Sequence, residues 1–357
     1  MRQKGKRVHQ FMSGTKELTP EDLDGMGKTV DELITLDVGG RKIVKLLYPY
    51  VRERYGRPLC LMAAEKIRER VSHGDFVLIT CGMLIYPYED LAETDGPVGG
   101  AVLARALQMG LGAKPLMLTD QAAVPMAKAA CRGANLNVTD LQTVKRTERT
   151  MVVRGFPIDD GEAKREAERI FDELEPKAII AIERRGRNEK GVYHALPKGR
   201  NMNHIEAKMV SLYDVAKEKG VLTIGIGDGA NEIGWGIVND IIKAKIPYGD
   251  RCACGCGGGI GDTTTVDVFI PASVSNWGAY GIIACLSFLL NRPEILHDAK
   301  MESRVLRECI DAGGIDGISF YPEPKVDGLP EEVHVAIVNL LHEITRGGFV
   351  YPDYLMK

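Results

Sequence analysis

Several short segments of this chain combine residue types and spacings that can do chemistry. Glu93-Thr94-Asp95-Gly96-Pro97 sets two carboxylates close together ahead of a helix. Such a pair can hold an ammonium group or a divalent cation, although Thr94 or Asp95 would also cap a helix and Pro97 suits its first turn. Glu183-Arg184-Arg185-Gly186-Arg187-Asn188 is a charged cluster directly after a buried strand, where folding alone does not require charge. Guanidinium forks match carboxylates with two parallel hydrogen bonds, so Arg184 and Arg187 read as clamps for an acidic substrate, with Glu183 beside them. The sharpest feature is Gly225-Ile226-Gly227-Asp228-Gly229-Ala230-Asn231-Glu232-Ile233-Gly234. If a helix opens here, its free amides attract an anion. Asp228 and Glu232 would instead bind a cation or act as acid or base. Asn231 can orient a carboxylate, and Gly227 and Gly229 allow close backbone approach.

Two further segments complete the inventory. Cys252, Cys254 and Cys256 alternate with small residues ahead of Gly257-Gly258-Gly259. Three thiols so spaced could ligate zinc or another soft metal, with a fourth ligand from elsewhere. A Gly-rich loop of backbone amides is the plainer reading. Val274-Ser275-Asn276-Trp277-Gly278 offers Ser275 as a helix cap, with Asn276 and Trp277 where a ligand would meet a helix start. The histidines show no metal-binding spacing; His194 and His204 flank the loop after Glu183 and read as structural.

The elements that must position these residues follow from the hydrophobic pattern. Short β-branched and apolar runs at 76–80, 115–118, 135–138, 150–154, 178–182, 221–226 and 265–270 read as strands. Helical stretches near 98–110, 121–132, 161–174, 204–219, 231–244 and 276–290 separate them, and helices near 293–311 and 330–345 close the chain. This alternation predicts an α/β fold: a mostly parallel sheet with helices on both faces, a Rossmann-like three-layer arrangement. Residues 1–27 read as a flexible lead-in, 28–75 as a helical extension, and 28–357 as one domain. In such sheets ligands bind at the carboxyl ends of the strands, which is where the chemistry-bearing segments fall.

Composition narrows the function. The 357 residues carry 46 basic and 49 acidic side chains, a balance with no global field for a polyanion, so nucleic acid is not expected as a partner. The longest strongly apolar stretch, 281–290, is short of the ~20 residues that cross a bilayer. No apolar run follows the basic N-terminus, so no export signal is read, a cytoplasmic location is expected, and the eight cysteines are expected reduced. Neither Gly-x-Gly-x-x-Gly nor a P-loop occurs at the Gly-rich turn, so neither nicotinamide nor nucleotide is expected.

Together the segments at 93–97, 183–188, 225–234 and 274–278 resemble the D-glutamate cyclase family, of the type that forms the C-terminal part of the mitochondrial enzyme and stands alone in prokaryotes. The resemblance runs from about Lys28 to Arg346. Two segments depart from the family pattern: Tyr193 to Gly199, and the cysteine run. The resemblance implies an α/β fold and loss of water from D-glutamate to give 5-oxo-D-proline, with help from a divalent metal such as Mg²⁺ or Mn²⁺. On this reading Asp228 or Glu232 is the general base, or holds a metal with Glu93 and Asp95. Arg184 and Arg187 clamp carboxylates, and Asn231 and Asn276 orient a small amino-acid or dicarboxylate substrate. Assembly as a homo-oligomer stays open. Two other readings stand beside it. Gly227 to Glu232 looks like the Mg²⁺-binding loop of haloacid dehalogenase-type phosphatases, which also need an Asp-x-Asp nucleophile after the first strand. A non-catalytic protein binding a metal or a small acid through the cysteine loop is the other.

Overall fold

A computed structural model describes residues 19–347. In chain order the elements are α1 (Pro20–Ile34), α2 (Ile43–Tyr55), α3 (Leu59–Arg70), β1 (Phe76–Cys81), α4 (Pro97–Leu111), β2 (Lys114–Thr119), α5 (Val124–Gly133), β3 (Asn137–Val138), α6 (Leu141–Arg146), β4 (Thr150–Gly155), α7 (Asp160–Leu174) and β5 (Ala178–Ile182). Then follow β6 (His194–Ala195), β7 (Arg200–Asn201), α8 (Val210–Lys219), β8 (Leu222–Gly227), α9 (Asn239–Lys245), β9 (Val268–Pro271), α10 (Ser275–Leu289), α11 (Ala299–Asp311), β10 (Lys325–Val326), β11 (Leu329–Pro330) and α12 (Glu331–Gly347).

Seven strands form one sheet in the order β3-β4-β2-β1-β5-β8-β9, every neighbouring pair parallel. The inner strands are mostly apolar: all of Ala178–Ile182 and Leu222–Gly227 is buried, as expected of strands covered on both faces. From β1 the chain first moves outward through β2 to the edge strand β3, steps back to β4 between them, then crosses to the other side of β1 for β5, β8 and β9. Right-handed crossovers travelling in opposite directions put their helices on opposite faces. Accordingly α4 packs with α5, α10 and α11, while α7 packs with α8. The reversal between β1 and β5 opens a crevice at their carboxyl ends, where an open α/β sheet binds its ligand.

The helical extension is part of the core. α1 starts at Pro20, inside the stretch read as a flexible lead-in, because Thr19 and Asp22 form a reciprocal capping box; residues 1–18 lie outside the described part. Met26, Val30 and Ile34 face inward, and α1 packs on α3 and α10. α3 has no side-chain cap of its own. Its first amides, Leu59 N and Cys60 N, donate to the buried Asp31 carboxylate of α1 at 2.7 and 3.1 Å. α10 is buried from Ser275 to Phe288, as a helix apolar on all sides must be.

One expected helix is replaced. Near 231–244 the chain makes a turn, a short 3-10 segment (Trp235–Val238), and only then α9. Gly234 takes φ +117°, and the local amides are claimed from outside: Ile233 N donates to Arg184 O and Gly236 N to Thr264 O. No helix N-terminus therefore faces the crevice after β8, and the anion-binding option at Asp228–Glu232 loses its basis. The helix expected at 204–219 begins later, at Val210. Among the described residues no helix is long and apolar enough to cross a membrane.

Candidate active site

Each strand around the crevice ends in a carboxylate. The segment after β1 supplies Glu93 and Asp95, the first residue after β5 is Glu183, and the turn after β8 supplies Asp228 and Glu232. All are buried. The turn between β10 and β11 adds Asp327, whose side chain is 8% exposed. Asp327 and Gly328 there take φ +54° and +75°, the Asp-Gly chemistry of a tight hairpin. One ligand oxygen from each of Asp95, Glu183 and Asp228 lies within 4.8 Å of the others, an arrangement able to hold a metal ion. Glu183 and Ala230 hold φ +47° and +83°, conformations unfavourable for residues with a Cβ. Such strain gathers where function demands a fixed geometry.

Two cations face these acids: Arg185, which acts on Glu93, and Arg41, from the loop joining α1 to α2. Arg41 Nη1 donates to Asp228 Oδ2 at 2.5 Å and to Asp327 Oδ2 at 2.8 Å, and its Nη2 donates to Asp228 Oδ1 at 3.1 Å. No local motif marked Arg41 or Asp327; each meets Asp228 only because the fold brings together segments far apart in the chain. Adjacent acids push Arg41 further into its charged form, led by Asp228.

Several residues read as ligand-facing prove to hold the scaffold. Asp95 caps α10, accepting from Ser275 N and Asn276 N at 2.8 Å each. Asn276 in turn caps α4, its Oδ1 accepting from Gly96 N at 2.9 Å and Gly99 N at 2.6 Å. The two helices thus exchange caps across the crevice, and Asn276 has no spare acceptor aimed at a substrate. Ser275 Oγ donates to Glu183 Oε2 at 2.6 Å. Trp277 is core: its Nε1 donates to His334 Nδ1 at 3.0 Å. Glu232 accepts from Gly229 N at 2.8 Å and from Trp235 Nε1 at 2.7 Å, so Trp235 is the indole at the site. Gly227 and Gly229 are required sterically, since a Cβ on either would lie within 3.0 Å of Glu232. Asn231 Nδ2 donates to His194 O at 2.8 Å, tying the turn to the β6–β7 hairpin.

The arginines read as clamps are elsewhere. Arg184 is fully buried behind β5, paired with Asp120 and with Glu206 and donating to Gly82 O and Ala207 O. Arg187 is on the surface, 40% exposed, with Asp214 as its partner. Cys252, Cys254 and Cys256 form a separate cluster with His194.

Burial and mutual repulsion favour the protonated forms of Glu93, Asp95, Glu183, Glu232 and Asp327. Burial first, then the Asp228 charge, pushes both Asp95 and Glu232 up to about 7. The same two causes lift Glu183 and Asp327 well above the usual carboxylate range, and burial lifts Glu93. Asp262, which accepts from Gly234 N at 3.0 Å, is raised to about 8 by burial. A carboxyl whose folded pKa is raised binds more protons in the native state than in the unfolded chain, so its stabilising share is complete below about pH 4 and is lost as pH rises through the folded value. Thermal melts in a chelator should therefore show stability falling between about pH 4 and about pH 8. Added Mg²⁺ or Mn²⁺ should restore melting temperature at the upper end and do little at about pH 5, where protons already neutralise the cluster. A melting temperature rising across this range would contradict the assignment.

A family profile described as "D-glutamate cyclase-like, C-terminal" matches residues 30–342. The chain belongs to that family. It is 27% identical over 327 residues to the mitochondrial D-glutamate cyclase of Homo sapiens, a match covering 90% of this chain and 47% of that protein. The chain thus spans about half the length of this curated relative. In this member of the D-glutamate cyclase-like family, the motif segments at 93–97, 183–188, 225–234 and 274–278 follow the carboxyl ends of β1, β5, β8 and the edge strand β9. The phosphatase reading lacks the Asp-x-Asp nucleophile it needs after β1, where the aspartates are Asp90 and Asp95. Both oxygens of Asp95, the buried aspartate of that segment, are engaged by backbone amides.

Proposed function

We propose that this protein is a lyase that cyclises glutamate, in the D form as for the relative's printed name, to 5-oxoproline with release of water. The observation that carries the reading is the excess of buried carboxylates over cations at the sheet's switch point. Glu93, Asp95, Glu183, Asp228, Glu232 and Asp327 converge there, and Arg41 bridges two of them. Buried charge demands compensation, so the site favours a ligand that brings positive charge. A glutamate ammonium does so, and its carboxylates can turn toward Arg41, whose side chain is 29% exposed.

The chemistry fits these groups. The amine nitrogen attacks the γ-carboxyl carbon, a C–N bond forms, and one carboxyl oxygen leaves as water with the two protons shed by the ammonium. Nothing is oxidised or reduced. Moving those protons near neutral pH calls for a carboxyl with a raised pKa, and Glu232 at about 7 qualifies. Asp228 takes the first proton as general base, and Glu232, fixed by Trp235 and Gly229, stores or returns the second. Ring closure is intramolecular, so correct orientation alone is worth about 7–11 kcal/mol. With a divalent cation such as Mg²⁺ or Mn²⁺, Asp95, Glu183 and Asp228 would instead be its ligands, Glu232 would be the base, and the cation would draw charge from the γ-carboxylate oxygens.

The test is NMR with chiral chromatography of purified protein incubated with D-glutamate and, separately, L-glutamate, each with Mg²⁺, Mn²⁺ or EDTA. 5-Oxo-D-proline from the D form alone supports the reading, and its loss in EDTA supports the cation. No product from either enantiomer under any condition would overturn it.

A further inference from the structure

The geometry points to a structural zinc site, built from Cys252, Cys254, Cys256 and His194, that clips the β6–β7 hairpin to the Gly-rich loop. The four ligand atoms already converge. Cys252 Sγ lies 3.1 Å from Cys254 Sγ and 3.4 Å from Cys256 Sγ. His194 Nε2 lies 3.3 Å from Cys254 Sγ and 3.9 Å from Cys256 Sγ. Ligands about 2.0–2.3 Å from a tetrahedral ion stand roughly 3.5–3.8 Å apart, so one Zn²⁺ fits among them with small adjustments. Three sulfurs and one imidazole are a set that zinc prefers to magnesium or calcium.

The backbone is shaped for this convergence. In an extended strand alternate thiols share a face but stand too far apart for one ion. Here the chain turns instead, with Gly255 at φ +84° and Gly257 at φ +83°, so the sulfurs point to one centre. Gly199, at φ +78°, admits the loop from the other side; a Cβ there would lie 2.7 Å from Cys252 Cβ. Two N–H groups face the Cys256 sulfur, Asn188 Nδ2 and Gly258 N, each at 3.4 Å. Such donors around a sulfur stabilise a thiolate, as the surroundings of metal ligands do. The remaining cysteines, at 60, 81, 131, 285 and 309, are all buried; burial pushes each of their thiols up, so they stay protonated.

With four protein ligands the ion has no open position, which makes its role structural. It would fix residues 193–200 against the turn that carries Asp228, through the Asn231 bond to His194 O and the contact Leu196 offers at Gly229. This site is independent of the carboxylate cluster and of whether the protein cyclises glutamate.

The experiment is elemental analysis of the whole protein, expressed without added metal, followed by exchange with Co²⁺. About one zinc per chain is expected, together with the thiolate-to-cobalt charge-transfer absorption that oxygen ligands do not give. Cys254→Ser should abolish the absorption, and Asp228→Asn should keep it. Should Cys254→Ser fail to fold, alkylation of the native wild type decides: these three thiols should be protected until a strong chelator is added. Purified protein without zinc that also fails to withdraw zinc from a chromophoric chelator would overturn the proposal. So would a disulfide joining two of the three cysteines, or metal lost in Asp228→Asn and kept in Cys254→Ser.

Discussion

Asp228→Asn is expected to cut the turnover of glutamate by about 10²–10⁴-fold, the usual worth of a positioned acid–base group, while the melting temperature stays level or rises. The two halves of this expectation share one cause. Asp228 is a source of the repulsion that raises Asp95, Glu183, Glu232 and Asp327. Removing its charge relaxes the cluster, and Arg41 keeps Asp327 as a partner at 2.8 Å. The asparagine preserves the shape of the turn, so a loss of activity cannot be blamed on collapse. Sites that trade stability for function behave in this way. Turnover is read by NMR and folding by a thermal scan of the same sample. Unchanged turnover would remove Asp228 from the mechanism, and a melting temperature several degrees lower would show that its pair with Arg41 outweighs the repulsion.

Arg184→Met is expected to destabilise the fold by about 3–5 kcal/mol, the cost of breaking a buried ion pair from one side. Arg187→Met should change stability by less than about 1 kcal/mol, as for an exposed pair. Both arginines belong to one short motif, and sequence alone gives them the same role. In the fold Arg184 is the hub of a closed network. It pairs with Asp120 and Glu206, while Arg185 bonds the other Glu206 oxygen at 2.8 Å. Methionine of similar length would leave Asp120 buried beside an apolar chain, and Glu206 with Arg185 alone. Denaturant melts of both variants measure the difference. Equal, small effects would mean that Arg184 is not a structural hub, and loss of substrate affinity in Arg187→Met with stability unchanged would return it to the site.

The strand segments were legible because each is short, apolar and bounded by turn residues, and burial on both faces leaves that trace. β4 shows it at Met151 to Val153, buried inside half-exposed ends. The carboxylates were legible because a charged residue immediately after such a run, as Glu183 after Ala178–Ile182, has no folding reason to be there. The direction of a neighbouring side chain left no such trace. Arg184 and Glu183 are adjacent, yet one turns into the β1–β5 seam toward Gly82 O and the other toward Ser275 Oγ. The 231–244 stretch misled for a related reason. Its pattern suits a helix, but its amides are bound by Arg184 O and Thr264 O, which come from other segments.

The sequence by itself determined the parallel α/β architecture, the family resemblance, and the acids Glu93, Asp95, Glu183, Asp228 and Glu232 as the centre of interest. These rest on local signals, namely residue type, periodicity and position after a strand. The tertiary structure alone decided which cation meets them, bringing Arg41 from the α1–α2 loop and Asp327 from the β10–β11 turn onto Asp228. It also turned Asn276 and Asp95 into exchanged helix caps and supplied His194 to the three cysteines. These are pairings across long stretches of chain. Their energy comes from burying charge and sulfur together, and no spacing along the sequence encodes that.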